Sequence, residues 1–249
     1  MTDVLTMKIK VGCCGYSYFS PANYYGKGWK RKYSSTLAAY ASKFDLVEMN
    51  STFYRIPKVE TAEKWFREAR EVNNKFEFTV KCSRIVTHED RFGKKSFWAY
   101  ERIREICKKL KTRFLLFQTP ASFKPTRENE RRMRNFFGSI RRGRIKFVWE
   151  PRGAWWKDVG KIRKICEENN VICCVDPLRN DYPWQKIAYF RLHGFGKPMM
   201  YNYKFSDEEL KVVFEKAKRF RESLILFNNF VMYEDALRFR KMFKIRHKE

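Results

Sequence analysis

The chain is short of acid. It sets 28 Asp and Glu against 54 Lys and Arg, a formal net charge of +26 over 249 residues. A heat-adapted surface explains dense charge, but heat adaptation raises Glu together with Lys and leaves the imbalance unexplained. A phosphate-bearing partner does explain it, because each phosphate neutralised by Lys or Arg releases counterions. The expected partner is nucleic acid, DNA or RNA. Histidine is scarcer still: His88, His193 and His247 are the whole supply. That is too few imidazoles for a trinuclear zinc cluster. The seven cysteines include no CxxC spacing. The pairs Cys13-Cys14 and Cys173-Cys174 fall in strand-like runs, where cysteine packs as a small core residue rather than a metal ligand. No run of about 18 apolar residues exists to form a transmembrane helix, and the first residues lack the apolar centre of a signal peptide. The expected setting is cytoplasmic, without a membrane partner. Linkers and low-complexity tracts are also missing, so 1–249 is expected to be one domain, with 1–7 a leader and 244–249 a basic tail.

What is present is a regular alternation, and 44% apolar residues are enough for a sizeable core. Lys8 to Gly15 alternates apolar and polar residues as a strand does. Tyr16 to Tyr33, rich in Tyr, Gly and Lys, reads as a long loop. Ser35 is an N-cap for a helix through Leu37, Tyr40 and Ala41. Phe44 to Met49 is strand two, followed by a helix over about Thr61 to Val72. Phe76 to Ser83 alternates cleanly as strand three, and a helix runs through Trp98, Ile103 and Leu110. Strand four (Phe114 to Phe117), a helix over Thr126 to Ile140 and strand five (Ile145 to Glu150) follow. A helix from about Trp156 to Asn169 leads to strand six (Val171 to Asp176). Strand seven is Ile187 to His193. Ser206 and Glu209 form a capping box on the next helix, and strand eight (Leu224 to Asn228) and a last helix complete the series. Eight apolar strands separated by amphipathic helices predict an α/β fold, a (β/α)8 TIM barrel. One unit is irregular: Pro177 to Lys186, between strands six and seven, is too short for a full crossover helix.

In such a barrel, active sites sit at the C-terminal ends of the strands. The residues there are unusually polar. Strand two ends in Glu48 and Asn50, which share a face, and runs into Tyr54 and Arg55. Strand three offers Lys81, with His88 beyond. Strand four offers Gln118, strand five Glu150 and Arg152, strand six Asp176, strand seven Arg191 and His193, and strand eight Asn228 and Asn229. Each has a plainer reading. Glu48 could pair with Lys81 or Arg191 inside the barrel. Glu150 and Asp176 could cap helices, and His193 could bond a loop carbonyl. Thr87-His88-Glu89-Asp90 could be an ordinary helix start, and the two asparagines could be turn residues. Together the convergence favours a site. Away from the ends, Arg127, Arg131, Arg134, Arg141, Arg142 and Arg144 concentrate guanidinium groups suited to phosphate, unless they are a solvated helix face. Lys30 and Arg31 lie among the aromatics of the first loop, a mixture suited to stacked bases and phosphates, unless that loop packs over the barrel mouth.

The same strand ends carry a family likeness. Gly12 to Tyr16, the run Val47 to Pro57, Phe78 to Lys81 with Ile85 to His88, Phe117 to Phe123, Trp149 to Arg152, Arg191 to Gly194 and Phe227 to Asn229 resemble the YecE-like family, a group of TIM-barrel proteins without a settled activity. The resemblance implies the fold across nearly the whole chain. That fold is similar to endonuclease IV and the sugar isomerases, from which a nucleic-acid repair role has been suggested. The chain departs from the family at Cys13-Cys14, where Thr-Ser is more common, and at Trp155-Trp156, where a His-x-x-Trp pattern is common.

The leading expectation is a phosphodiesterase or nuclease working at the barrel mouth. Glu48, Glu150, Asp176 and His193 would hold Mg2+ or Mn2+, with no organic cofactor. Lys81 and Arg191 would bind the scissile phosphate. One alternative is a DNA- or RNA-binding protein without turnover. Another is a metal-free enzyme on a small sugar or phosphorylated substrate, with Glu48 and Glu150 as acid and base.

Overall fold

The computed structural model describes residues 8–180 and 185–245. The expected leader, His247 and nearly all of the expected tail lie outside the described residues. Eight strands are hydrogen-bonded in chain order into a closed barrel: β1 (Lys8–Cys13), β2 (Leu46–Met49), β3 (Glu77–Lys81), β4 (Phe114–Gln118), β5 (Lys146–Glu150), β6 (Val171–Val175), β7 (Ile187–Leu192) and β8 (Glu222–Phe227). The recorded pairings are parallel, among them Val11 opposite Ile225, Cys13 opposite Val47 and Gln118 opposite Glu150. This is the expected (β/α)8 architecture. Between the strands run α1 (Pro21–Tyr25), α2 (Thr36–Ala41), α3 (Ser51–Tyr54), α4 (Val59–Val72), α5 (Lys94–Lys109), α6 (Arg127–Ser139), α7 (Val159–Glu168), α8 (Asp207–Ala217) and, after β8, α9 (Met232–Met242). Among the described residues no helix joins β6 to β7.

Local chemistry sets most of these boundaries. Ser35, Thr126 and Asp158 accept the backbone N–H three residues on, at the starts of α2, α6 and α7, which satisfies a donor the helix itself cannot. Ser206 and Glu209 close the expected capping box on α8. Three readings needed tertiary context. The Tyr16–Tyr33 stretch is not simply a loop. It folds α1 and a 3-10 turn at Trp29–Arg31, because Phe19 stacks on Tyr24 at 4.8 Å and the Tyr25 hydroxyl donates to the Ala39 carbonyl at 3.1 Å. Residues 51–54, to which no element is assigned from the sequence, form α3, and the Thr52 hydroxyl donates between the Met49 and Lys81 carbonyls at 2.6 and 2.7 Å. α7 begins at Val159 rather than Trp156, because Gly153–Lys157 is a separate 3-10 turn.

The chain divides into two compact units. One is drawn from Met1–Glu48, Glu68–Glu77 and Val175–Glu249, the other from Met49–Arg67 and Phe78–Cys174. In the first unit, the Tyr40 hydroxyl accepts from the Cys13 N–H at 2.9 Å and donates to the Leu46 carbonyl at 2.8 Å, stitching β1 to β2. Gly12 permits that pairing, since a Cβ there would lie 2.0 Å from the Leu46 oxygen. Tyr40 also stacks on Phe44 and meets Phe19 and Tyr233 edge-on. In the second unit, Phe92, Phe117, Phe136, Phe137 and Phe147 form their own aromatic core. Truncating a ring in such a core costs about 3–5 kcal/mol. All seven cysteines are buried.

Candidate functional site

The polar strand ends form one cluster in each unit. In the first unit, Glu48 of β2 and Tyr189 and Arg191 of β7 point into the same buried space. Arg191 donates to Glu48 Oε1 at 2.8 Å, and the Tyr189 hydroxyl donates to Oε2 at 2.8 Å. Glu48 is 0% exposed and Arg191 1%. Burial this deep requires the pairing, because an unpaired carboxylate in the interior costs several kcal/mol. Of the two partners the sequence allows for Glu48, Arg191 is therefore one in fact. His193 extends the chain. Its Nε2 lies 3.4 Å from Arg191 Nη1 and its Nδ1 3.4 Å from Asp176 Oδ2. Guanidinium nitrogens only donate, so Nε2 is placed to accept from Arg191 and Nδ1 to donate to Asp176. His193 thus faces a carboxylate. Asp176 also accepts the His193 backbone N–H at 3.2 Å and meets Arg179 at 3.5 Å. Cations and carboxylates alternate along Arg179, Asp176, Arg191 and Glu48, with His193 between Asp176 and Arg191. Cys14 is buried beside Glu48 and Arg191, and burial pushes its thiol well up.

The second unit holds a different cluster. β3 ends at Lys81, whose ammonium sits 4.1 Å over the Phe53 ring of α3. The Phe53 and His88 rings meet nearly perpendicular, with centroids 4.8 Å apart. His88 lies in a π-helical turn, Ile85–Glu89, not the ordinary helix start its sequence suggests. π-turns cost hydrogen-bond geometry and recur at functional sites. Just beyond, Arg91 and Phe92 both have positive φ, 49° and 62°, a left-handed conformation that non-glycine residues adopt at a cost of about 1–3 kcal/mol each. Half-burial, then the charges of Lys81, Arg84 and Arg91, push the His88 pKa down to about 4. His88 is therefore neutral at pH 7 in a positive field. Its Nδ1 is 2.8 Å from the Thr87 hydroxyl, Arg91 donates to its carbonyl at 3.3 Å, and Arg84 pairs with Glu89 at 2.8 Å. Tyr54 packs edge-on against Phe53 at 5.1 Å and is 73% exposed. Arg55 beside it is exposed. Asn50 stands at the start of α3 without capping it. Gln118 ends β4 in register with Glu150, and Glu150 pairs with Arg152.

Several expected residues serve other purposes. Asn229 bonds the Tyr203 carbonyl and Asp235, both at 2.7 Å, and so braces a loop. Asn228 adds a backbone bond to Leu192. Arg134 reaches Glu168 at 2.6 Å and ties α6 to α7, and Arg142 donates to the Asn170 carbonyl at 2.6 Å. Both act as braces between neighbouring elements. Arg127 and Arg131 are exposed on α6. Arg141 and Arg144 are exposed too, but they precede β5 and so lie at its N-terminal end, away from Glu150. Lys30 and Arg31 are exposed. Trp155 and Trp156, at the family's histidine position, donate their indole N–H groups to the Phe123 and Pro151 carbonyls. The sequence shows no site signal at Phe53, Arg84, Arg91 or Arg179; only the interruption Arg91-Phe92-Gly93 hints at the second cluster's loop.

The expected metal ligands do not assemble. Glu48 gives its oxygens to Arg191 and Tyr189, Asp176 faces His193 and Arg179, and Glu150 faces Arg152. A divalent cation at any of these carboxylates would meet a guanidinium. Among the described residues no group of three or more His, Cys, Asp and Glu is placed to hold a metal. The donor set does not fit Mg2+ or Mn2+.

A closed eight-stranded parallel barrel with polar strand ends defines the class as TIM-barrel. The chain belongs to the family described as "Protein of unknown function DUF72", which it matches over residues 10–249, in keeping with the likeness carried by its strand-end motifs. It is 26% identical over 231 residues to the UPF0759 protein YunF of Bacillus subtilis, covering 78% of this chain and 80% of that one. A DUF72 family protein from Thermotoga maritima superposes with TM-score 0.74 at 25% identity, over 95% of this chain and 99% of that one. One from Enterococcus faecalis superposes with TM-score 0.70 at 21% identity, over 96% and 99%.

Proposed function

We propose that the protein binds nucleic acid through the second unit's strand-end cluster. A backbone phosphate sits against Lys81, Arg84 and Arg91, and Tyr54 and Phe53 offer an aromatic surface to an adjacent unpaired base. The observation that carries this reading is the cationic field around His88 beside an exposed tyrosine. Lys81, Arg84 and Arg91 outnumber Glu89, which pairs with Arg84, and an anion relieves that excess of positive charge. Aromatics next to cations suit single-stranded nucleic acid, where bases stack and phosphates pair. The chain's charge of +26 supplies the long-range attraction. A neutral imidazole can donate to a phosphate oxygen or accept from a base. The metal-assisted cleavage expected from the sequence has no suitable donor set, so this is a reading of binding and not of turnover.

The test is fluorescence anisotropy with a labelled single-stranded oligonucleotide at several salt concentrations. The expected affinity falls steeply with salt, and Lys81→Ala and Arg91→Ala each flatten that slope by about one unit. A strand bound equally well by the double variant would refute the reading.

A further inference from the structure

A second apolar surface stands exposed in the first unit, on the loops after β7 and β8. Of eleven exposed large apolar side chains among the described residues, five are here: Phe195, Met199, Met200, Tyr201 and Phe230. Met199 is 53% exposed and Phe230 60%. The loop that carries them is tightly built. The Gly196 N–H bonds the Met200 carbonyl at 3.1 Å, Asn202 bonds Met199 at 3.0 Å, and the Phe230 N–H bonds Tyr201 at 2.8 Å. Asn229 braces it through the Tyr203 carbonyl at 2.7 Å. Gly194 and Gly196 cannot be replaced without a clash, since added Cβ atoms would lie 2.4 Å from Tyr203 and 2.0 Å from the Asn202 carbonyl. Holding apolar side chains rigidly in water opposes stability and favours a ligand, because the ordering cost is met before binding.

The chemistry around the patch selects the ligand. The Arg179 guanidinium lies 4.4 Å over the Phe195 ring. From Gly194 to Phe205 the chain carries Lys197 and Lys204 and no acid. An isologous contact with a second copy would face this cationic loop with itself. A surface that is both apolar-aromatic and cationic matches a base with its phosphate.

We propose that this loop is a base-stacking platform, with Phe195, Tyr201 and Phe230 receiving unpaired bases and Lys197, Lys204 and Arg179 the flanking phosphates. The proposal rests on the nucleic-acid reading above but uses separate residues, so the two are tested apart. The full chain is titrated into a labelled oligothymidylate and into an abasic strand of the same length. The wild type is expected to prefer the oligothymidylate. Phe195→Ala and Tyr201→Ala should each weaken binding to it about tenfold and leave the abasic strand nearly unaffected. Tyr201→Phe, which keeps the ring, should restore wild-type binding. Thermal unfolding of each variant separates loss of contact from loss of fold. Equal weakening on both strands, or none on either, overturns the platform. If Lys81→Ala and Tyr54→Ala weaken binding while the platform variants do not, the platform falls and the earlier reading stands. If the wild type binds neither strand at low salt, both fall. Platform-dependent binding to polyglutamate or to phosphatidylserine vesicles, without any effect on the oligothymidylate, also overturns it.

Discussion

The two strand-end clusters are built from the same residue types and settle their charges in opposite ways. In the first unit, cations and carboxylates alternate from Arg179 to Glu48, and the chain is buried from Asp176 inward while Arg179 is exposed at its outer end. In the second, Lys81, Arg84 and Arg91 gather on a half-buried, neutral His88, next to a tyrosine that faces water. A cluster that satisfies its own charges holds the barrel together. The second cluster holds more cations than carboxylates, with Arg84 paired to Glu89, and it is the one we propose to meet phosphate. The contrast separates a structural brace from the proposed binding site more sharply than residue identity does, since Glu48, Lys81 and Arg191 all look equally site-like in sequence.

Breaking the brace should have the largest effect. Arg191→Met leaves Glu48 buried without its cation and is expected to cost about 3–5 kcal/mol in denaturant unfolding. The double variant Arg191→Met, Glu48→Leu should recover most of that loss, because both charges are then gone. If the single variant is as stable as wild type, the chain is not a brace. Tyr54→Ala tests the opposite cluster. It should weaken oligonucleotide binding by about 1–3 kcal/mol while unfolding shifts by less than about 0.5 kcal/mol.

The pH dependence of His88 sharpens the comparison further. Its folded pKa of about 4 lies below its ordinary 6.5. Between those values the unfolded chain binds the proton and the folded one does not, so stability falls as pH drops from about 6.5 towards 4. His88→Asn should flatten that part of the stability profile. Bound oligonucleotide should raise the His88 pKa, measured by NMR titration, because phosphate offsets the field of its neighbours. A pKa unmoved at saturation would remove the phosphate from this site. The smallest effect is expected at Arg134. Its exposed pair with Glu168 and part-buried pair with Glu130 are together worth about 1 kcal/mol, and Arg134→Ala should leave oligonucleotide binding as it is.

Much of the fold was legible in the sequence because the strands bury both faces. Phe114 to Phe117 and Leu224 to Phe227 read as continuous apolar runs, and caps such as Ser35 and Ser206 act within three residues. The short connection after β6 was legible from chain length alone. The helices α1 and α3 were not. Each is too short to show a period, and each is held by distant partners: Ala39 for Tyr25, the Lys81 carbonyl for Thr52. The site was legible as a list. The polar strand ends named Glu48, Lys81, His88, Glu150, Asp176, Arg191 and His193. They did not show which carboxylate faced which cation, and so the metal site expected of them did not survive.

The amino-acid order therefore determined the barrel, its strand-end chemistry, its family and its positive charge, since periodicity, capping and composition act locally or by sum. Tertiary structure alone decided the sign of each cluster. Glu48 meets Arg191 across 143 positions of chain, and Lys81, Arg84, His88 and Arg91 converge only because a π-turn and two left-handed residues bend their loop back on itself. Electrostatics depends on distance in space, which spacing along the chain does not contain.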